Sequence, residues 1–101
     1  RALDYSNFNE DVIKAGHLIV RKKVDGIYEY KPLSVSDGKY TDKQSDEEYA
    51  GVVVRSRLKG EGVAIMDDGR VNDEAMPYQF KDEAQRTAVK TALPNLIFEH
   101  D

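Results

Sequence analysis

The sequence predicts a small, mainly β (α+β) domain: a β-barrel or β-sandwich-like set of hairpins with one C-terminal helix. Three observations predict it. Short runs rich in β-branched and aromatic residues alternate apolar and polar side chains, and Gly, Pro, Asn or Asp bounds each run. Asp25-Gly26 and Asp68-Gly69 stand between such runs, and glycine accepts the positive φ of a tight hairpin turn. Helical spacing of apolar residues comes late, from Glu83 to Leu93.

Length and composition agree. The chain has 101 residues, 40% hydrophobic and 34% charged, which fits one globular domain rather than a disordered chain. A domain this small buries a modest share of its surface, so an oligomer would add to its stability. The net charge of -4 argues against non-specific nucleic-acid binding, which needs a basic face to displace counterions. Arg21-Lys22-Lys23 reads as a solvated strand edge. Cysteine is absent, which removes disulfides, thiolate metal sites and a cysteine nucleophile. No apolar run approaches the roughly 20 residues that span a bilayer. The chain opens on Arg1 rather than Met, and the expectation is a fragment or a processed product.

Residues 1–14 read as an extended arm ahead of a single β-rich domain over 15–101. Asn7 and Asn9 favour turns over regular structure, while Tyr5, Phe8, Val12 and Ile13 supply apolar surface. Those side chains would be wasted on a free tail, so the arm docks on a neighbouring surface or packs on the domain's own core. Ala15-Gly16 marks a corner, and His17 to Val24 follows as a strand. Asp25-Gly26 turns it into Ile27 to Lys31, and Pro32 ends ladder donation or lies at an edge.

Residues 34–48 are polar and read as a functional or mobile loop, with room for short pairing around Gly38. Tyr49 to Leu58 reads as a strand whose Val52-Val53-Val54 run points to burial on both faces. After Lys59-Gly60-Glu61-Gly62, Val63 to Met66 and Gly69 to Asn72 read as two strands of one hairpin. Val63, Ile65 and Val71 are its core residues, and Asp67-Asp68-Gly69 is its turn. Asp82 is the expected helix N-cap, with Gln85 in a capping-box position. Ala84, Ala88, Val89, Ala92 and Leu93 form the expected apolar stripe, Pro94 stops the helix, and Asn95 to Glu99 reads as a strand returning to the sheet.

Signatures of chemistry are weak. The sequence holds no phosphate-binding loop, dinucleotide fingerprint, zinc-protease motif or nucleophile elbow. His17 and His100 stand alone in sequence and read as surface histidines. Asp67-Asp68 lacks the spacing of a calcium loop and reads as turn chemistry. Glu47-Glu48 and Asp73-Glu74 read as solvated. Met66 invites comparison with biotinyl and lipoyl carrier hairpins, but no Lys follows it. The reading is therefore of a protein without catalytic, cofactor or metal residues.

In their order along the chain, these elements resemble the tailed-phage head decoration proteins, the family of the phage lambda capsid-stabilising protein. The resemblance runs from about Val12 to the C-terminus. It rests on the Ala15-Gly16 corner, the Asp-Gly hairpin leading to Tyr30-Lys31-Pro32-Leu33, and Ala50-Gly51-Val52-Val53. It continues through Gly62-Val63-Ala64-Ile65-Met66, Gly69-Arg70-Val71-Asn72, Asp73-Glu74-Ala75-Met76 and Leu93-Pro94-Asn95-Leu96-Ile97-Phe98. The resemblance implies a non-enzymatic virion protein, a homotrimer that sits on local three-fold axes of the capsid surface and stabilises the head. Its partner would be the major capsid protein, with no nucleic acid and no membrane, and it would pass through the host cytoplasm during assembly. The arm would add to the shell, with Tyr5, Phe8, Val12 and Ile13 as its contacts. Here the arm is charged, a departure from the family that leaves the mode of attachment open. The alternative is a head-fibre or capsid-anchored adhesive module that binds a host surface or glycan. A small glycan-acting enzyme is a third reading and would need converging carboxylates in a cleft.

Overall fold

The computed structural model describes residues 2–6, 8, 10–72 and 76–99. Its strands are β1 (Val12–Ile13), β2 (Leu18–Val24), β3 (Ile27–Pro32), β4 (Val35–Ser36), β5 (Lys39–Tyr40), β6 (Glu48–Val53), β7 (Arg57–Leu58), β8 (Ile65–Met66), β9 (Gly69–Asn72) and β10 (Leu96–Glu99). One helix, α1 (Glu83–Ala92), lies between the last two strands. The fold is mainly β, as the alternation predicts.

The centre is an antiparallel sheet in the order β3-β2-β6-β8, and it curls into half a barrel. Alternation along β2 sends Leu18 and Val20 to one face and Ile19 to the other, and all three are buried. Each face carries its own apolar cluster. Leu18, Val20, Tyr40, Tyr49, Val52, Val89, Leu93 and Leu96 belong to the first, and Phe8, Ile13, Ile19, Tyr30, Val53 and Val63 to the second. The expected burial on both sides of the valine run holds for Val52 and Val53. It fails for Val54, which lies past the end of β6 and is exposed.

The pairing of β2 with β6 shifts register between Ile19 and Val20: Ile19 faces Gly51, whereas Val20 faces Tyr49. The additional residue is a bulge that resets the alternation, so Tyr49 and Val52 reach the same cluster although three positions apart. Gly51 sits in this bulge at φ 149°. A Cβ there would run into the Met66 carbonyl and the Ile65 side chain on β8. Gly51→Ala is expected to cost roughly 2–3 kcal/mol in urea unfolding and to loosen amide-exchange protection along β8. A change under about 0.5 kcal/mol would show that the approach of the two strands is not required.

Three Asp-Gly pairs behave in two ways. Asp25-Gly26 and Asp37-Gly38 have positive φ at both residues, as two-residue hairpin turns require, and join β2 to β3 and β4 to β5. Pro32 lies on β3, an edge strand, where the missing N–H costs no ladder bond. At Asp68-Gly69 only the glycine has positive φ, and no hairpin forms. β8 pairs with β6, and β9 pairs in parallel with β10, from Leu96 opposite Gly69 to Glu99 opposite Asn72. Gly69 N–H donates to the Asn95 carbonyl at 3.0 Å, which draws the chain away from β8. The expected hairpin is thus a corner between two sheets, and β10 returns to β9 rather than to the central sheet.

Asp82 caps α1 as expected, accepting from Gln85 N–H at 2.9 Å. The buried stripe differs from the one expected. Gln85, Val89 and Leu93 face inward, while Ala84, Ala88 and Ala92 are exposed. Gln85 fixes this rotation: its Oε1 accepts from Lys81 N–H at 2.6 Å and its Nε2 donates to the Thr41 carbonyl at 2.9 Å. The i, i+4, i+8 row through Gln85 therefore turns inward.

Candidate functional site

The arm folds back on the domain. Leu3 bridges in parallel to Tyr30 on the edge strand β3, with Asp4 N–H donating to the Tyr30 carbonyl at 2.8 Å. The Tyr5 hydroxyl donates to the Glu61 carbonyl at 2.8 Å, and Lys59 Nζ donates to the Phe8 carbonyl at 2.8 Å. β1 then pairs with β7, Val12 opposite Leu58 and Ile13 opposite Arg57. Of the four arm side chains singled out from the sequence, Phe8 and Ile13 are buried in the second cluster, and Tyr5 and Val12 are half-buried. The structure places all four on this chain's own surface and core.

His17 lies under the arm. It is 1% exposed, so the expected surface histidine is a core residue. Its Nε2 lies 2.9 Å from the Leu33 carbonyl. A carbonyl only accepts, so Nε2 carries the proton, and a neutral ring then has an acceptor lone pair at Nδ1. Phe8, Tyr40 and Tyr78 surround the imidazole edge-on, at centroid distances of 5.7, 5.3 and 5.6 Å. Gln79 bridges to Lys39 and holds Tyr78 beside this group. The Tyr40 hydroxyl accepts the Leu18 N–H at 3.1 Å, and burial lifts its pKa far above the usual tyrosine range. Phe8, His17 and Tyr78, with Glu10 and residues of the β4–β5 hairpin, line a cavity of about 260 Å³.

A second group gathers at Lys31 of β3. Glu47, expected to be solvated, is 5% exposed. Its Oε1 accepts the Gln44 N–H at 2.8 Å, and its Oε2 is ion-paired with Lys31 Nζ. It is buried because Val20 and Lys31 stand opposite each other in the ladder, which brings the ammonium to the edge of the first cluster.

The third feature is the outer half of the β2–β3 hairpin. β6 accompanies β2 only as far as Arg21, so residues 22–29 run on as a two-stranded ribbon. Val24 and Ile27 face each other across its end, and Ile27 is 71% exposed. Tyr28 is exposed on the other face, with the Arg21 guanidinium 4.3 Å above its ring. Arg21 also donates to Glu48 at 2.8 Å, so it is paired rather than freely solvated.

No family model, curated protein or solved structure matches the chain. The functional reading rests on its own residues. Asp67 and Asp68 are exposed at the corner between sheets, and among the described residues no group of three His, Cys, Asp or Glu side chains could hold a metal ion. Val63 is buried and Ile65 half-buried, whereas the Val71 side chain, Asp73-Glu74 and His100 lie outside what the structure describes.

Burial holds the His17 pKa below its ordinary value, and the Leu33 carbonyl opposes that shift less strongly. The unfolded chain takes up this proton near pH 6.5, and the folded chain does so only at lower pH. His17 therefore contributes its full stability above about pH 6.5 and loses it as pH falls towards the folded value, by up to about 1.4 kcal/mol per pH unit. Urea midpoints between about pH 7.5 and 5.5, a window above the main carboxylate range, are expected to fall accordingly. His17→Gln is expected to flatten that slope, and a wild-type profile flat across the window would contradict it.

Proposed function

We propose that this chain is a non-enzymatic virion structural protein that binds the outer surface of a phage capsid and stabilises it as a homotrimer, with the major capsid protein as its partner. The order of motifs along the sequence supports the family. The structural observation that carries the reading is the β2–β3 ribbon. A two-stranded ribbon beyond its sheet gains little stability from itself, yet this one holds Val24, Ile27 and Tyr28 in water. Apolar side chains gathered at the end of a projecting element fit a docking surface. A shell repeats such a contact many times, so a weak single contact becomes firm attachment.

The ribbon shifts the expected contact away from the arm side chains. Phe8 and Ile13 already serve the core, whereas the apolar side chains of the ribbon are free to meet a shell. Co-sedimentation with heads of the phage that encodes the chain tests this. The wild type is expected to bind saturably, and light scattering is expected to give the mass of a trimer. Ile27→Asp is expected to weaken head binding by about tenfold or more, the effect of roughly 1.4 kcal/mol, with an unchanged unfolding midpoint. A wild-type chain left in the supernatant by intact heads would overturn the proposal.

A further inference from the structure

The cavity beneath the arm is distinct from the ribbon, and its described lining combines two acidic residues, His17 and Ser34 with aromatic rings. Glu10 and Asp37 are among its lining residues, both exposed and neither in an ion pair among the described residues. His17 forms part of its wall, with its one proton engaged by the Leu33 carbonyl. The other ring nitrogen of the neutral ring is an acceptor, in a residue that is 1% exposed. Phe8 and Tyr78 supply aromatic walls, and among the described residues no lysine or arginine lines the space. Such a site offers acceptors and aromatic surface and calls for a flat, cationic, donor-rich group.

We propose that this cavity binds the guanidinium of an arginine side chain presented by a partner protein. A guanidinium carries five N–H donors in one plane, stays charged at all relevant pH, and loses less than an ammonium on leaving water. It also packs against aromatic rings. The volume of about 260 Å³ falls just below the range of about 300–1,000 Å³ typical of drug-sized ligands and suits one long side chain. The same lining selects against free arginine. Its α-carboxylate would meet Glu10 and Asp37, whereas an arginine within a polypeptide has no such group. This inference does not depend on the phage reading.

Amide NMR on the full chain, titrated with N-acetyl-arginine amide, tests it. Saturable shifts are expected at Phe8, His17, Gly38 and Tyr78. N-acetyl-citrulline amide, which keeps the shape and loses the charge, is expected to bind at least about tenfold more weakly. The double variant Glu10→Gln, Asp37→Asn is expected to lose binding by a similar factor with its unfolding midpoint retained. Both side chains are exposed, and asparagine tolerates the positive φ of position 37. Absent saturation, equal binding of the citrulline amide, or undiminished binding by the double variant would each overturn the proposal. Tighter binding of free arginine than of its capped amide would overturn the assignment to a protein partner.

Discussion

Lys31→Met is expected to destabilise the chain by about 3 kcal/mol in urea unfolding at neutral pH. Breaking a buried ion pair typically costs about 3–5 kcal/mol, because the surviving charge stays in a poor solvent without its partner. The lower end applies because the Lys31 side chain is 21% exposed, although that of Glu47 is only 3% exposed. After the substitution the carboxylate keeps the Gln44 N–H on Oε1, while Oε2 has no hydrogen-bond donor among the described residues. The companion experiment separates the charge from the shape. Lys31→Met combined with Glu47→Leu removes both charges and is expected to recover most of the loss, to within about 1–2 kcal/mol of the wild type, the remainder being the orphaned Gln44 N–H. A single variant within about 1 kcal/mol of the wild type would mean that water reaches the carboxylate freely. The pair also has a structural consequence: it ties edge strand β3 to the turn that leads into β6, and so closes the polar 34–48 segment against the sheet.

What was legible in the sequence was what neighbours in sequence decide. Asp25-Gly26 sets the β2–β3 hairpin, and Asp82 with Gln85 sets the start of α1. The first is a backbone preference and the second a hydrogen bond reaching three residues. The misreadings all turn on distant partners. Asp68-Gly69 has hairpin composition, but Asn95, far along the chain, claims the Gly69 N–H. Ala84, Ala88 and Ala92 have helical spacing, but Thr41 holds Gln85 and so decides which face turns inward. Glu47 reads as solvated until the β2–β3 register brings Lys31 to it. His17 is the clearest case. Its ring partners Phe8, Tyr40 and Tyr78 come from three separate segments, and the one local signal was its place just before Leu18-Ile19-Val20, the most apolar stretch of β2. The bulge at Gly51 left a faint trace, a glycine within a strand-like run.

Phe8→Ala is expected to cost about 3–4 kcal/mol, as truncation of a buried aromatic typically does. Phe8 packs against His17 and Tyr5 and lines the cavity, so its loss merges that space with the core. Deleting residues 1–6 keeps Phe8 and Ile13. It removes the Asp4 N–H to Tyr30, Phe8 N–H to Tyr5 and Tyr5 hydroxyl to Glu61 bonds and the packing of half-buried Leu3 and Tyr5 on the second cluster, together about 2–3 kcal/mol. Deleting 1–14 removes Phe8 and Ile13 together and is expected to leave a chain that does not hold its second cluster. This difference decides how a capsid-binding arm can be tested. Loss of head binding in the 1–14 deletion would report unfolding as readily as lost contact. The 1–6 deletion leaves the clustered core in place, so its head binding reports on the arm alone. Head binding and unfolding midpoints measured on the same two truncations separate the cases. Weaker binding by the 1–6 deletion at a near-native midpoint assigns residues 1–6 to the shell, and unchanged binding leaves attachment to the ribbon.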